Sequence, residues 1–238
     1  MVAYIRDNTG RFRQRPHYQP EELDHECESI ITAFLRDLYG EIRFPVKTDD
    51  LTKLIEKDTS DFDPYADLSS LGADVQGVTE FYAKRKPAVK IATDLNDGKH
   101  DNRFRTTMTH EYGHVYFHAY LWDFEQPAFD ILNARPQANK QICKRETILN
   151  AAQTDWMEWQ AGYVCGAILM PITRVQNCVR AYLEKNSLYG AISTGSEHAG
   201  AVIALLMDAF QVSEDAARVR LLKLGIISAS APQHSLFS

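Results

Sequence analysis

The stretch HEYGH at residues 110–114 indicates the fold and the chemistry of this chain more strongly than any other segment. On a helix, His110 and His114 lie about 40° apart around the axis, so both imidazoles can bind one metal ion. Glu111 is turned about 100° from His110, where it can act as a general base without being a ligand. The HExxH pattern is typical of zinc peptidases, although it also occurs by chance in helices that bind no metal.

A tetrahedral catalytic zinc needs a third protein ligand. His118 continues the i, i+4 series but is rotated about 80° from His110, which favours a place on the helix face or behind a ligand. Glu158 is the better candidate, because it begins an apolar stretch that predicts a second buried helix ending before Pro171. A buried carboxylate needs a partner, which a metal would supply. The alternative is a glutamate at the solvent-facing start of a helix.

The two segments together resemble the ImmA/IrrE family of metallo-endopeptidases. The signature of that family is HExxH followed by an E-x-x-A-N helix that ends in L-M-P. Here the matching segments are HEYGH at 110–114 and EWQAGYVCGAILMP at 158–171. The resemblance covers roughly residues 40–225. Gly162 stands where the family usually has Asn, which removes a possible hydrogen bond behind the metal ligands.

The resemblance implies that His110, His114 and Glu158 are the zinc ligands and that Glu111 is the catalytic base. Manganese could occupy the same ligand set in a cell. Members of the family act inside bacteria on a helix-turn-helix repressor encoded beside them, in mobile elements, prophages or stress responses, and cleavage relieves repression. The expected function is therefore that of an intracellular, cytoplasmic zinc-dependent endopeptidase whose partner is such a repressor.

The expected fold class is α+β. It has a zincin-like peptidase core, in which a small antiparallel sheet lies beside the active-site helix, together with a helical N-terminal region and a C-terminal helix-turn-helix-like pair. Residues 74–83 and 88–92 predict an antiparallel hairpin. An exposed edge there could bind an extended substrate as an added strand, or the hairpin could simply wall the core. The tetrahedral intermediate could be stabilised by Tyr82, His100 or Tyr112.

The predicted organisation has a flexible N-terminal arm at residues 1–20, a peptidase domain at 21–190 and a C-terminal helical region with a tail at 191–238. Within the peptidase domain, the polar stretch at 123–155 is interpreted as an insertion. It could cover the cleft as a lid, recognise a substrate, or be a surface excursion without catalytic consequence. A further hypothesis is that the thiolate of Cys143 masks the zinc until it is displaced or oxidised.

The C-terminal region predicts two helices, at about residues 198–210 and 214–223, with the spacing of a helix-turn-helix pair. Such a pair could contact DNA through Arg218, Arg220 and Lys223. The second helix is nevertheless rich in small and apolar residues, which favours a structural or substrate-docking role over DNA binding.

Composition is consistent with one globular unit, because 238 residues with 45% hydrophobic content can bury a large core. The four cysteines have neither zinc-finger nor CxxC spacing, so we expect reduced thiols in the cytoplasm. A formal charge of −6 argues against broad nucleic-acid binding, and no apolar run is long enough for a membrane span. Two other classes stay open: a stoichiometric antirepressor with a structural metal, and a DNA-binding regulator.

Overall fold

A computed structural model describes most of the chain. The described residues are 2–96, 98–124, 140–145, 148–149 and 151–230, without the side chain of Phe124. They form two compact units, one built from residues 1–26 and 47–165 and the other from residues 27–46 and 166–238. The domain boundaries after residues 20 and 190 stay predictions.

The first unit combines helices with two small sheets, which confirms the α+β class. Its strands are β1 (Ala3–Arg6), β2 (Gln14–His17), β3 (Asp61–Ala66), β4 (Val75–Tyr82), β5 (Arg85–Ala92) and β6 (Lys140–Lys144). Its helices are α2 (Thr48–Asp58), α3 (Asp101–His118), α4 (Leu121–Phe124), the beginning of α1 (Pro20–Tyr39) and most of α5 (Trp156–Leu169).

The larger sheet has the strand order β3-β5-β4-β6. The predicted hairpin is confirmed: β4 and β5 are antiparallel and are joined by a two-residue turn in which Lys84 has a φ of 57°. Strand β3 pairs in parallel with β5, and β6 pairs antiparallel with the other side of β4. The sheet is therefore mixed, which corrects the wholly antiparallel sheet that the sequence predicted. Part of the predicted insertion at 123–155 is therefore the outermost strand of the sheet among the described residues. Residues 125–139, 146–147 and 150 of that insertion, and with them most of the predicted lid, lie outside the described residues.

The faces of β4 alternate between two environments, as expected for a strand covered on both sides. Thr79 and Gly77 face α3, where both contact Glu111. Val78 lies on the opposite face and packs in an apolar cluster with Leu68. The sheet therefore presents one face of β4 to the helix that carries HEYGH.

Helix α3 is buried around nearly its whole circumference, with every residue from 104 to 115 buried. Two of its three threonines, Thr106 and Thr109, are compatible with this environment because their hydroxyls bond within the helix. The hydroxyl of Thr106 donates to the carbonyl of Asn102, and that of Thr109 donates to the carbonyl of Arg105. Such local bonds satisfy polar side chains that would otherwise be costly to bury.

The N-terminal residues form a docked hairpin, which differs from the flexible arm predicted at residues 1–20. Strands β1 and β2 pair antiparallel, and Phe12 between them is buried in a cluster with Trp122 and Trp156. The carboxylate of Asp7 accepts hydrogen bonds from the indole of Trp156 and from the backbone N–H of Phe12. Phe12 and Asp7 therefore anchor the N-terminal segment, whose polar sequence had predicted a flexible arm.

The second unit consists of helices and a short parallel strand pair. Its elements are the rest of α1 and the end of α5, with α6 (Ile172–Lys185), β7 (Ile192–Ser193), α7 (Glu197–Phe210), α8 (Glu214–Lys223) and β8 (Ile227–Ser228). The two predicted C-terminal helices are thus confirmed as α7 and α8. Within the described part of the chain, no helix has both the length and the apolar character needed to cross a membrane.

The basic residues of α8 are engaged inside the second unit. The side chain of Arg220 is buried and its Nε donates to the carbonyl of Met170 at 3.0 Å. Arg218 pairs with Glu214 one turn earlier on the same helix. These contacts favour the structural role of α8 over base reading in a DNA groove.

Glu80 joins three neighbouring strands through its carboxylate. Its Oε1 lies 3.2 Å from Lys90 Nζ on β5 and 2.9 Å from Lys140 Nζ on β6, and its Oε2 accepts from the hydroxyl of Tyr82. Burial alone would raise the pKa of Glu80, but the hydrogen bonds from Lys140, Tyr82 and Lys90 lower this pKa to about 2.

We expect Glu80→Gln to lower the free energy of unfolding at pH 7, because it removes the charge that pairs with Lys90 and Lys140. The loss should be only about 1 kcal/mol, since both ion pairs are partly exposed. Since the folded-state pKa is depressed, the contribution is complete above the usual glutamate pKa of 4.5 and is lost as the pH falls towards 2. Urea unfolding across this pH range tests the expectation, with the exposed Glu56→Gln as control. A difference between wild type and Glu80→Gln that does not change with pH would contradict it.

Candidate metal centre

Three side chains predicted as metal ligands converge in the first unit. His110 and His114 on α3 and Glu158 on α5 each place a ligand atom within 4.8 Å of the others. His110 Nε2 lies 3.2 Å from Glu158 Oε2, and His114 Nε2 lies 3.1 Å from Glu158 Oε1. All three residues are buried. The structure therefore brings together the ligand set that the sequence predicts.

The cluster forms because α3 and α5 approach each other closely. A Cβ atom on Gly113 would lie only 2.9 Å from the Cα of Ala161, closer than real Cβ contacts come. Glu158 lies three residues before Ala161, on the same face of α5. Gly113 is likewise flanked on α3 by His114 and, three residues earlier, by His110. The small residues at the crossing thus bring the carboxylate to the two imidazoles.

Glu111 lies beside this cluster and is completely buried. Its Oε2 accepts a hydrogen bond of 2.5 Å from the hydroxyl of Thr79, while its Oε1 has no hydrogen-bond partner among the described residues. A Cβ on Gly77 would overlap Oε1, so the glycine leaves room for the carboxylate. Burial raises the pKa of Glu111, even though the nearby His114 and His110 act in the opposite direction. A carboxylate in this setting takes up a proton more readily than an exposed glutamate does.

His118 lies behind His114, which is one of the two positions predicted for it. The two Nδ1 atoms are 3.1 Å apart, and the Nε2 of His118 faces the side-chain oxygen of Gln160 at 2.9 Å. Burial, together with the neighbouring His114, lowers the pKa of His118 well below its usual range. His118 is therefore a neutral imidazole outside the ligand cluster.

Several side chains at the centre were missed by the sequence reasoning. Gln141 on β6 donates to Glu158 Oε1 at 2.6 Å, and Arg11 donates to Gln141 Oε1 at 2.6 Å. Neither residue has a local sequence signal, because Gln141 reaches Glu158, and Arg11 reaches Gln141, only through the tertiary fold. The sequence reasoning also missed Thr79. A glycine inside a strand often indicates that another group approaches the backbone closely, so Gly77 could have pointed to this face of β4.

The three candidates for stabilising a tetrahedral intermediate have other surroundings. The hydroxyl of Tyr112 donates to Asp58 and that of Tyr82 donates to Glu80, two carboxylates that do not belong to the metal cluster. His100 is exposed and immediately precedes α3. The choice among the three stays open.

Cys143 lies on β6 directly opposite Gly77 and is completely buried. Burial, with the negative charges of Glu111 and Glu158, raises the pKa of the Cys143 thiol well above its usual range. The thiol is not part of the group of possible metal ligands among the described residues. The absence of the Cys143 thiol from this group opposes the hypothesis that its thiolate masks the site.

The donors of the cluster fit a metal ion. The Nδ1 of His110 lies 3.1 Å from the carbonyl oxygen of Ile148, which leaves Nε2 to face the cluster. His114 Nε2 is buried and makes no hydrogen bond to any described residue, although Glu158 Oε1 lies 3.1 Å from it. Two imidazole nitrogens and a carboxylate oxygen converge here, and the nitrogen of His114 does not form a hydrogen bond with the carboxylate. Such a group of donors suits a cation between them. We therefore describe these three residues as a candidate metal centre.

We expect Gly113→Ala to lower the free energy of unfolding by about 1–3 kcal/mol and to weaken metal binding, because the added methyl group forces α3 and α5 apart. Gly200→Ala is the matched control, since Gly200 lies in α7 with open space around its Cβ position. That substitution should stabilise the protein by about 0.5–1 kcal/mol. Urea unfolding and zinc titration measure both effects. Equal stability of the two variants would refute the close-crossing argument.

Neither protein-family models nor curated proteins nor solved structures give a match. What can be said about the chemistry of this centre therefore comes from its own residues.

Proposed function

We propose that the protein is a zinc-dependent endopeptidase with His110, His114 and Glu158 as its metal ligands. The observation that carries the proposal is the buried His/His/Glu cluster with Glu111 beside it. Two imidazoles and one carboxylate are a common ligand set of catalytic zinc, which keeps one further position open. Manganese can use the same donors, so zinc is the default choice and not the only candidate.

A bound zinc ion would act as a Lewis acid that polarises the scissile carbonyl group and makes a water molecule a stronger nucleophile. Glu111 is suited to take the proton from that water and to deliver it to the leaving amine. Thr79 holds Oε2 of this carboxylate, which leaves Oε1 as the atom that accepts the proton. The raised pKa of Glu111 favours this shuttling role.

The sheet edge offers a way to bind an extended peptide. Strand β6 is an edge strand of the four-stranded sheet in the described part of the chain, and Gln141 of this strand contacts Glu158. A peptide that pairs with the free side of β6 would run past the metal centre and be recognised mainly through its backbone. We therefore propose β6, and not the β4–β5 hairpin, as the strand with which the substrate pairs.

Access to the centre requires an opening, because all the reactive side chains are buried. Arg11 of the N-terminal hairpin donates to Gln141 and to the sulfur of Met157, and Gln141 in turn holds Glu158. Breaking the contacts of Arg11 would release Gln141, which covers Glu158 from this side. We propose that substrate binding includes this step.

The substrate we propose is a helix-turn-helix repressor, and the location is the cytoplasm. Both follow from the resemblance of HEYGH at 110–114 and of the 158–171 segment to ImmA/IrrE peptidases. In this proposal, cleavage of the repressor inside the cell relieves repression of a mobile element, a prophage or a stress response.

We expect Glu111→Gln to retain the metal but to lose cleavage by about 10²–10⁴-fold, because an amide cannot accept the proton. The measurement compares new protein N-termini across the proteome of host cells that express wild type or Glu111→Gln, with the exposed Glu56→Gln as control. A new terminus inside a helix-turn-helix regulator should appear with wild type and with Glu56→Gln only. Normal cleavage by Glu111→Gln would refute the role of the base. Altered regulation by both proteins without cleavage would favour the stoichiometric antirepressor.

Cys143 provides a reporter of site opening, since it is buried beside Glu111. We expect Arg11→Ala to speed alkylation of Cys143 by iodoacetamide several-fold, and Arg6→Ala, an exposed change in the same hairpin, to leave the rate unchanged. The buried Cys27 and Cys165 serve as internal controls for unfolding. Mass spectrometry of the four cysteines gives the rates. Parallel acceleration at all buried cysteines would mean that Arg11 stabilises the fold and does not gate the site.

A further inference from the structure

Each imidazole of the candidate metal centre has its second ring nitrogen in a defined contact. For His110, this contact is the carbonyl oxygen of Ile148, at 3.1 Å from Nδ1. A carbonyl oxygen can only accept a hydrogen bond, so Nδ1 of His110 carries the proton. Its Nε2 then faces Glu158 Oε2 at 3.2 Å and, when it carries no proton, can offer a lone pair to a metal ion between them.

His114 is held in the same way, but through a chain of two side chains. For Nε2 of His114 to bind a metal, its Nδ1 must donate to Nδ1 of His118, 3.1 Å away. The Nε2 of His118 then carries a proton and donates to Gln160 Oε1 at 2.9 Å. The amide nitrogen of Gln160 donates to the carbonyl oxygen of Pro16 at 3.1 Å. The carbonyl of Pro16 can only accept a hydrogen bond, so Gln160 must turn its amide nitrogen towards Pro16 and its oxygen towards His118. His118 must then donate to Gln160 from Nε2, and His114 must donate to His118 from Nδ1.

The contact between His110 and Ile148 depends on a glycine inside α5. A Cβ on Gly162 would lie 2.6 Å from the carbonyl oxygen of Ile148, closer than real Cβ atoms approach any atom. Any other residue at position 162 therefore displaces this carbonyl from its place behind His110. A helix-interior glycine costs about 1 kcal/mol relative to alanine, so its presence here needs a reason of this kind.

We propose that Gly162, His118 and Gln160 are positioning residues, through which two backbone carbonyls outside α3 and α5 fix the tautomers of the metal-binding histidines. The carbonyl of Ile148 acts directly on His110, and that of Pro16 acts on His114 through Gln160 and His118. This inference rests on the proposed metal-binding function of His110, His114 and Glu158. It makes the N-terminal hairpin and the segment after β6 parts of the metal centre.

The first test is the zinc affinity of Gly162→Ala, measured by competition with a chromophoric chelator. Loss of an outer hydrogen bond to a metal-binding histidine typically weakens metal binding by about 10–100-fold, and we expect a change of this size. Gly166→Ala is the matched control, since it lies one turn later on α5 and its Cβ would make an ordinary contact of 3.4 Å with Arg220 Cδ. This control should bind zinc within about twofold of wild type.

The second test addresses His114 through Gln160→Met, which keeps the size of the side chain but removes both hydrogen bonds. We expect a loss of zinc affinity of about 10–100-fold here as well. Gln76→Met removes another buried glutamine of the first unit and controls for the general cost of such a change. The visible spectrum of the cobalt-substituted protein gives an independent readout, because it reports the geometry of the ligands and not the stability of the fold.

The outcomes separate this inference from the proposed function. Weaker zinc binding and altered cobalt spectra in Gly162→Ala and Gln160→Met, with both controls unchanged, are the expected result. Wild-type zinc affinity and an unchanged spectrum in both variants would overturn the positioning role. Absence of zinc binding by the wild type would instead overturn the proposed function. If one variant fails to fold, the other decides, since each acts on a different histidine.

Discussion

The close approach of α3 and α5 is the constraint on which the rest of the site depends. Packed helices usually lie about 8–10 Å apart, at a distance set by the side chains between them. At this crossing Gly113 contributes no side chain and Ala161 only a methyl group, so the two backbones come close. That approach carries the carboxylate of Glu158 to His110 and His114. All three possible ligands therefore respond to the packing at one point.

The sheet contributes a second constraint through the register of two strands. Thr79 on β4 and Gln141 on β6 are directly opposite each other. Thr79 donates to Glu111, and Gln141 donates to Glu158. The two residues of this cross-strand pair therefore hold Glu111, the proposed base, and Glu158, the proposed third ligand. A slip of β6 by one residue would turn Gln141 to the other face of the sheet, so the register of the edge strand bears directly on the site.

Sequence reasoning succeeded where the information is local. The β4–β5 hairpin and helices α7 and α8 follow from residue periodicity and turn signals. His110 and His114 follow from helical spacing, whereas Glu158 follows from its place in an apolar helix and from the resemblance to ImmA/IrrE peptidases. It failed where polar residues meet across the fold. Gln141 and Gln160 look like ordinary surface or helix residues, and their partners are set by tertiary packing alone. The docking of the N-terminal hairpin depends similarly on Phe12, one apolar residue in a polar segment.

Glu158 and His110 shift each other's pKa in opposite directions. Burial alone would raise the pKa of Glu158, but His114 and His110 lower it, so the carboxylate stays ionised. Burial alone would likewise lower the pKa of His110, but the hydrogen bond and the charge of Glu158 raise it. A proton on Nε2 of His110 and a metal ion therefore meet the same electrostatic need, and the two compete. The carbonyl of Ile148 accepts from Nδ1 in either case, so the imidazole keeps its orientation when one cation replaces the other.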